Sequence, residues 1–345
     1  MKPWVLSLAI LSLNAAQFAN AQDIVQQPWP TTQWQRAEPQ SQGLAANIVE
    51  QLESYVQQKA PKTTCVLVVR NGYLVLERYF AGGTDTLREA DAISNGIIGL
   101  LVGDAVESKV IDLDQALATA MPQLFSDESE PKAKLVTTRQ LLTHTSGLDP
   151  AMTNAIGLED ITNLFQMPLA GKPGGRFTFT FTNANILSMV LTQKTGQLMG
   201  QYVRNHLFTP IGIRNFEWRV TEGYAQGAYG LEMSGTDLAR IGFLILHQGK
   251  WAEDQVVSRS WIDEATTKEV ATDQSFRGEP MDYGYGWWSF EIAGHKAVLG
   301  LGFESQALCI VPDLQLIAVV LEDQIKRGRA LDILADVILP AVGRR

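Results

Sequence analysis

The chain has 345 residues, 46% of them hydrophobic and 8% aromatic, with 28 Lys and Arg against 37 Asp and Glu and a formal net charge of -9 at pH 7. That length and apolar content suffice to bury a core, which sets aside disordered, collagen-like and disulfide-scaffold classes. An acidic balance without a basic run also argues against a nucleic-acid groove, which needs clustered Lys and Arg to displace counterions from phosphates.

The chain opens on Met1-Lys2, a short apolar run from Val5 to Leu13 and the small-residue site Ala19-Asn20-Ala21. These are the parts of a secretory signal, with cleavage expected after Ala21. The run is too short to span a bilayer, which takes roughly 20 apolar residues, and no other segment is long enough. A secreted, periplasmic protein without a membrane span is the expectation. Residues 22–41, rich in Gln, Pro and Trp without periodicity, read as an extended lead-in to one domain over residues 42–345.

Leu44, Ile48, Leu52 and Val56 recur at helical spacing and predict a first amphipathic helix. Two β runs, 63–70 and 73–80, meet at Asn71-Gly72, the strongest short hairpin signal. The middle, about 85–270, is mostly helical, with helix starts at Thr137 (Gln140 three residues on) and Ser234 (Asp237 three residues on). Strand-like runs return at 296–301, 305–311 and 315–321, with a turn at Pro312-Asp313, and an amphipathic helix closes the chain over roughly 327–342. Strands from both ends around a helical middle predict one antiparallel sheet completed by the termini. Export permits a Cys65–Cys309 disulfide, but both lie in apolar β-like runs, where a buried free thiol is the commoner state.

Gly99-Leu100-Leu101-Val102-Gly103, Ile111-Asp112-Leu113-Asp114 and the stretch Gln140 to Leu148 are followed by Pro173-Gly174, Thr236 to Arg240, Tyr283 to Trp288 and Gln306 to Pro312. In this order and spacing they resemble the penicillin-recognising serine hydrolases, the family of class C β-lactamases, D-alanyl-D-alanine carboxypeptidases, esterases and 6-aminohexanoate-dimer hydrolases. The resemblance implies an α+β fold of the β-lactamase/transpeptidase type: a five-stranded antiparallel sheet flanked by helices, a mostly helical second lobe and an active site in the cleft between.

It also implies three reactive elements: Ser-x-x-Lys at a helix start, Tyr-x-Asn, and a Lys or His followed by Thr or Ser and Gly on a strand. In register, the first falls on Ala92-Ile93-Ser94-Asn95, where a methyl cannot attack a carbonyl and an amide is no base. The second falls on Phe181-Thr182-Asn183, which keeps the Asn and loses the phenol, and the third on Gly300-Leu301-Gly302, which keeps only glycine. The one literal Ser-x-x-Lys, Ser129 to Lys132, lies in an acidic loop outside this register.

His144 reads as part of a structural turn, and His206, His247 and His295 are isolated without metal-ligand spacing, so neither metal nor cofactor is expected. The resulting expectation is a catalytically inactive homologue, a pseudoenzyme, whose cleft holds a ligand or partner; a small peptide, amide or ester is the candidate class. The alternative is an active amide or ester hydrolase rewired through Ser94 or Glu304. A purely structural or assembly role stands behind both, and the lost motifs are compatible with inherited or engineered change.

Overall fold

The computed structural model describes residues 27–153, 161–267, 269–302, 306–323 and 328–343. Residues 1–21, expected to be a signal segment, lie outside them. β1 (Thr63–Arg70) and β2 (Tyr73–Tyr79) form the expected hairpin, with Asn71 and Gly72 both at positive φ, the conformation a two-residue type I′ turn needs. The other strands of the main sheet are β3 (Val270–Phe276), β4 (Glu279–Tyr283), β5 (Trp288–Ile292), β6 (His295–Leu301), β7 (Gln306–Val311) and β8 (Leu316–Glu322). They pair antiparallel throughout in the order β3-β4-β5-β6-β7-β8-β1-β2, so residues from both ends of the chain complete one sheet.

The sheet thus has eight strands, not the five that the resemblance implies. The additions are β3, β4 and β5. Two of their turns, Arg277-Gly278 and Ala293-Gly294, have the positive φ values of a type I′ turn but place Arg and Ala where Asn or Asp would signal a hairpin.

Every residue of β7 and β8 is buried, because both faces of the sheet are covered. Cys65, Leu67 and Val69 of β1 face α2 (Ile93–Glu107), α3 (Phe181–Thr195) and α4 (Gly235–Leu246). Val66 and Val68 face the opposite layer, α1 (Ile48–Lys59) and the C-terminal helix, which runs from Ala330 to Ile338 with a π-helical last turn. Pleating therefore puts Cys65 and Cys309 in different cores, both free and buried. The lead-in contributes to packing from Trp29 onward. Trp29 and Trp34 meet Phe243 edge-on, and the Arg240 guanidinium gathers the carbonyls of Pro30, Thr32 and Ile211. Gln35 and Ala37 bond to Leu74, covering part of the otherwise open edge of β2.

The seating of α2 depends on glycine. A Cβ on Gly99 would lie 2.2 Å from the Tyr285 carbonyl oxygen, one on Gly96 2.5 Å from the Trp287 indole, and one on Gly103 2.3 Å from the Trp261 indole. At spacings of three and four these positions share one helix face, which the segment Tyr285-Gly286-Trp287 and Trp261 approach at backbone distance. Trp261 seals the contact by donating its indole N–H to the Gly99 carbonyl at 2.9 Å. Gly99→Ala should cost about 1–3 kcal/mol by overpacking. Gly200→Ala, helical and with nothing within 4 Å of the added methyl, should stabilise by roughly 0.5–1 kcal/mol. Urea denaturation of the two variants checks the contrast; equal effects would contradict the close approach.

Candidate functional site

A cavity of about 690 Å³ opens beside the start of α2, between the sheet and the run Arg176–Phe181. That run alternates Phe177, Phe179 and Phe181 with Thr178 and Thr180, and it is held in place by a turn. His144, at φ 52°, accepts from the Thr180 N–H through Nδ1 and from the Thr178 N–H through its carbonyl, while its ring stacks on Phe179 at 4.5 Å. The turn follows the short helix Thr138–Leu142, which carries the capping box expected at Thr137 and Gln140. The opposite wall is the β3–β4 hairpin with Phe276 and Met281, together with Trp288 of β5; Leu301 and Gly302 come from the end of β6, and Leu331 from the C-terminal helix.

The cavity brings together Ala92, Phe181, Leu301 and Gly302 of the positions singled out in the sequence. Ala92 is the residue preceding α2, in the helical region of φ and ψ, so its methyl stands at the helix start. The remaining positions turn inward. Asn95 is buried, donates to the Ala92 carbonyl at 3.0 Å, and its Oδ1 has no partner among the described residues. Asn183, fully buried, spends its amide on Ser146 Oγ (2.8 Å) and His144 Nδ1 (3.0 Å). Gly300 faces α2, where a Cβ would sit 3.0 Å from the Trp287 ring and 3.1 Å from Ile93.

Ser94, considered as a substitute nucleophile, is completely buried and donates to the Gly227 carbonyl at 2.7 Å, pinning α2 to the segment that Asn185 of α3 also holds. It does not line the cavity. Glu304, the other substitute, lies outside the described residues. Ser129 is a buried turn acceptor for the Ser126 N–H, not a partner of Lys132. No group of metal-ligating side chains occurs among the described residues, and no described helix is long and apolar enough to cross a membrane.

Among the described residues, the charged side chains that line the cavity are paired. Arg176 meets Asp273 at 2.6 Å with both side chains exposed. Arg277, at the tip of the β3–β4 hairpin, reaches Asp332 and Asp336 of the C-terminal helix at 2.7 Å each, and Arg329 also bonds Asp332. Burial opposes ionisation of Asp332, but the hydrogen bonds from Arg329 and Arg277 prevail and hold its carboxyl below the ordinary range. The hairpin is thereby latched over the cavity, despite a register shift between Ala271 and Ser275 that weakens its ladder.

A family model described as Beta-lactamase matches residues 44–340. The chain belongs to the beta-lactamase family. It is 25% identical over 278 residues to 6-aminohexanoate-dimer hydrolase of Paenarthrobacter ureafaciens, covering 72% of this chain and 70% of that protein. Other curated relatives are matched over less than half of their own length. Among solved structures, the octameric penicillin-binding protein homologue from Pyrococcus abyssi superposes with a TM-score of 0.69 at 18% identity, covering 84% of this chain and 76% of that one. The penicillin-binding protein from Bacillus halodurans gives 0.67 at 16% identity over 84% and 98%. These likenesses show the β-lactamase fold.

Relative to that family frame, the cavity's aromatic wall was not recognised in the sequence. Its signal was there: Phe177, Phe179 and Phe181 alternate with period 2, the mark of an extended segment with one apolar side. The Arg277 latch had no local signal, since its partners lie 55 and 59 residues away.

Burial holds the His144 imidazole neutral, pushing its pKa down to about 3, and pushes that of His247 down to about 4. Unfolded histidines bind protons below their ordinary pKa near 6.5, so the unfolded state gains protons first as pH falls, and stability drops. The urea midpoint should fall between pH 7 and pH 5, and His144→Gln should make that fall about half as steep, since two buried histidines share it. An unchanged slope would mean that His144 accepts a proton in the folded protein.

Proposed function

We propose that this chain is a non-catalytic member of the beta-lactamase family, exported by its N-terminal segment, that holds a small ligand in the cavity without turning it over. The observation that carries the reading is the state of the α2 start: a methyl at position 92 faces the cavity, while Ser94, Asn95 and Asn183 all bond inward. Acyl transfer needs a nucleophile with a base within hydrogen-bond reach, and the described residues lining the cavity include no Lys, His, Cys or Tyr. Without the nucleophile, triad hydrolases keep only the roughly 10³–10⁴-fold that binding and the oxyanion hole supply. An amide, as in the dimer that the relative 6-aminohexanoate-dimer hydrolase is named for, or an ester is the ligand class we propose.

A fluorophosphonate probe incubated with the purified protein should leave every serine unmodified by mass spectrometry; a mapped adduct would instead establish the rewired hydrolase. The combined variant Ala92→Ser, Asn95→Lys, Phe181→Tyr should also fail to hydrolyse a chromogenic ester above the parent's rate. Gly300, the third motif position, still lacks a side chain in that variant, and a Cβ there would stand 3.0 Å from Trp287 and 3.1 Å from Ile93, which would have to give by a few tenths of an ångström to admit one. Hydrolysis restored by those three changes alone would contradict this.

A further inference from the structure

We propose that the ligand of this cavity is an uncharged molecule with a flat aromatic or branched apolar body, and not a peptide. The inference rests on the cavity being the binding site and names what fits it.

Size comes first. About 690 Å³ lies in the range of sites that enclose a whole small molecule. The apolar lining comes from three directions: Phe179 and Phe181 from the run that enters α3, Phe276 and Met281 from the hairpin, and Trp288 from the sheet. Phe179 and Phe181 meet edge to face at 5.8 Å, and Phe276 and Phe290 do the same at 6.3 Å. Such rings pack a flat apolar guest in offset or T-shaped geometry, and Met281 adjusts to its outline.

Among the described lining residues the neutral polar side chains are Thr178, Gln274 and Ser275, and the polar side chains of Ser94 and Asn183 at the motif positions are already engaged. The Asn183 amide, which could have held a ligand amide, is used by Ser146 and His144. The backbone N–H groups of Thr178 and Thr180 point to the His144 turn. A peptide laid against the walls formed by Phe179, Phe181, Phe276 and Trp288 would leave amide groups there without partners, which is unfavourable.

The charges among the described lining residues offer little to an ion of either sign. Arg176 is neutralised by Asp273, and Asp332 by Arg277 and Arg329. An anionic ligand would have to displace Asp273, and a cationic one would have to displace an arginine from Asp332. Either exchange breaks an existing pair to make a similar one, so charge adds little affinity while the ligand's desolvation remains a cost.

The test uses the full purified chain. N-phenyl-1-naphthylamine, a neutral fluorophore, is titrated in, and its displacement is measured with 1-naphthylmethanol, 1-naphthoate, 1-naphthylmethylamine and N-acetyl-alanyl-alanine amide. These compare one ring system as neutral, anionic and cationic forms with a peptide. The expected result is saturable binding of the fluorophore at one site, with the neutral naphthyl compound displacing it at a concentration at least tenfold lower than either ion and the peptide ineffective. Leu301→Arg, which puts a charged side chain into the cavity wall, should weaken the fluorophore at least tenfold; unchanged affinity would locate binding elsewhere and overturn the proposal. The ligand series stands even where that variant does not fold. A charged naphthyl compound that binds as well as the neutral one, or a peptide that displaces the fluorophore, would overturn the ligand class and leave the cavity as a binding site. No saturable binding of any of the compounds would overturn the cavity reading as well.

Discussion

The seating of α2 against the segment Tyr285-Gly286-Trp287 governs the rest of the site. Gly96, Gly99 and Gly103 remove three Cβ atoms from one face of the helix, and backbone and indole take their place. Dispersion contacts at that range are numerous and unforgiving of added volume. Because the helix cannot slide or tilt without collision, Ala92 at its start is fixed in position at the cavity. The same contact drives Trp287 between Gly96 and Gly300, where its ring fills the space beside the third motif position. One packing arrangement thus sets both the position of Ala92 at the cavity and the surroundings of Gly300.

Around this frame, polar groups that would serve a reaction serve the fold. Ser94 ties α2 to the Gly227 segment, and Asn183 ties α3 to the His144 turn. Each satisfies buried groups that would otherwise be costly. The turn in turn supports the phenylalanine run that forms a wall of the cavity. Cavity wall and core stability share residues here, and a change at His144 or Asn183 would be felt in both. The charged latch from Arg277 to Asp332 and Asp336 is different in kind. It lies at the rim, holds a hairpin of mostly exposed residues, and is open to screening by salt.

Much of this was legible in the sequence because local chemistry announced it. Asn71-Gly72 specified the first hairpin, Thr137 and Gln140 the capping box, and the apolar runs near the C-terminus β6, β7 and β8. What was missed lacked such signals. Arg277-Gly278 and Ala293-Gly294 adopt hairpin turns with residues that do not usually mark them, which hid three strands of the sheet. At the site, the registered positions Ala92, Phe181, Leu301 and Gly302 do converge on one cavity. Sequence could not say that Asn95, Asn183 and Ser94 turn away from it, because for Asn183 and Ser94 the side-chain direction depends on partners distant in the chain, Ser146 and His144 for Asn183 and Gly227 for Ser94.

On the proposed reading, a β-lactamase-family cavity with a methyl at position 92 should bind without reacting. The most direct measurement is native mass spectrometry of the purified protein with p-nitrophenyl butyrate, an uncharged aromatic ester, while release of p-nitrophenolate is followed in the same solution. The account predicts a one-to-one complex at the mass of the intact ester, fully dissociable, with phenolate released no faster than in buffer. A protein mass increased by the butyryl group alone, with phenolate released in step, would contradict it.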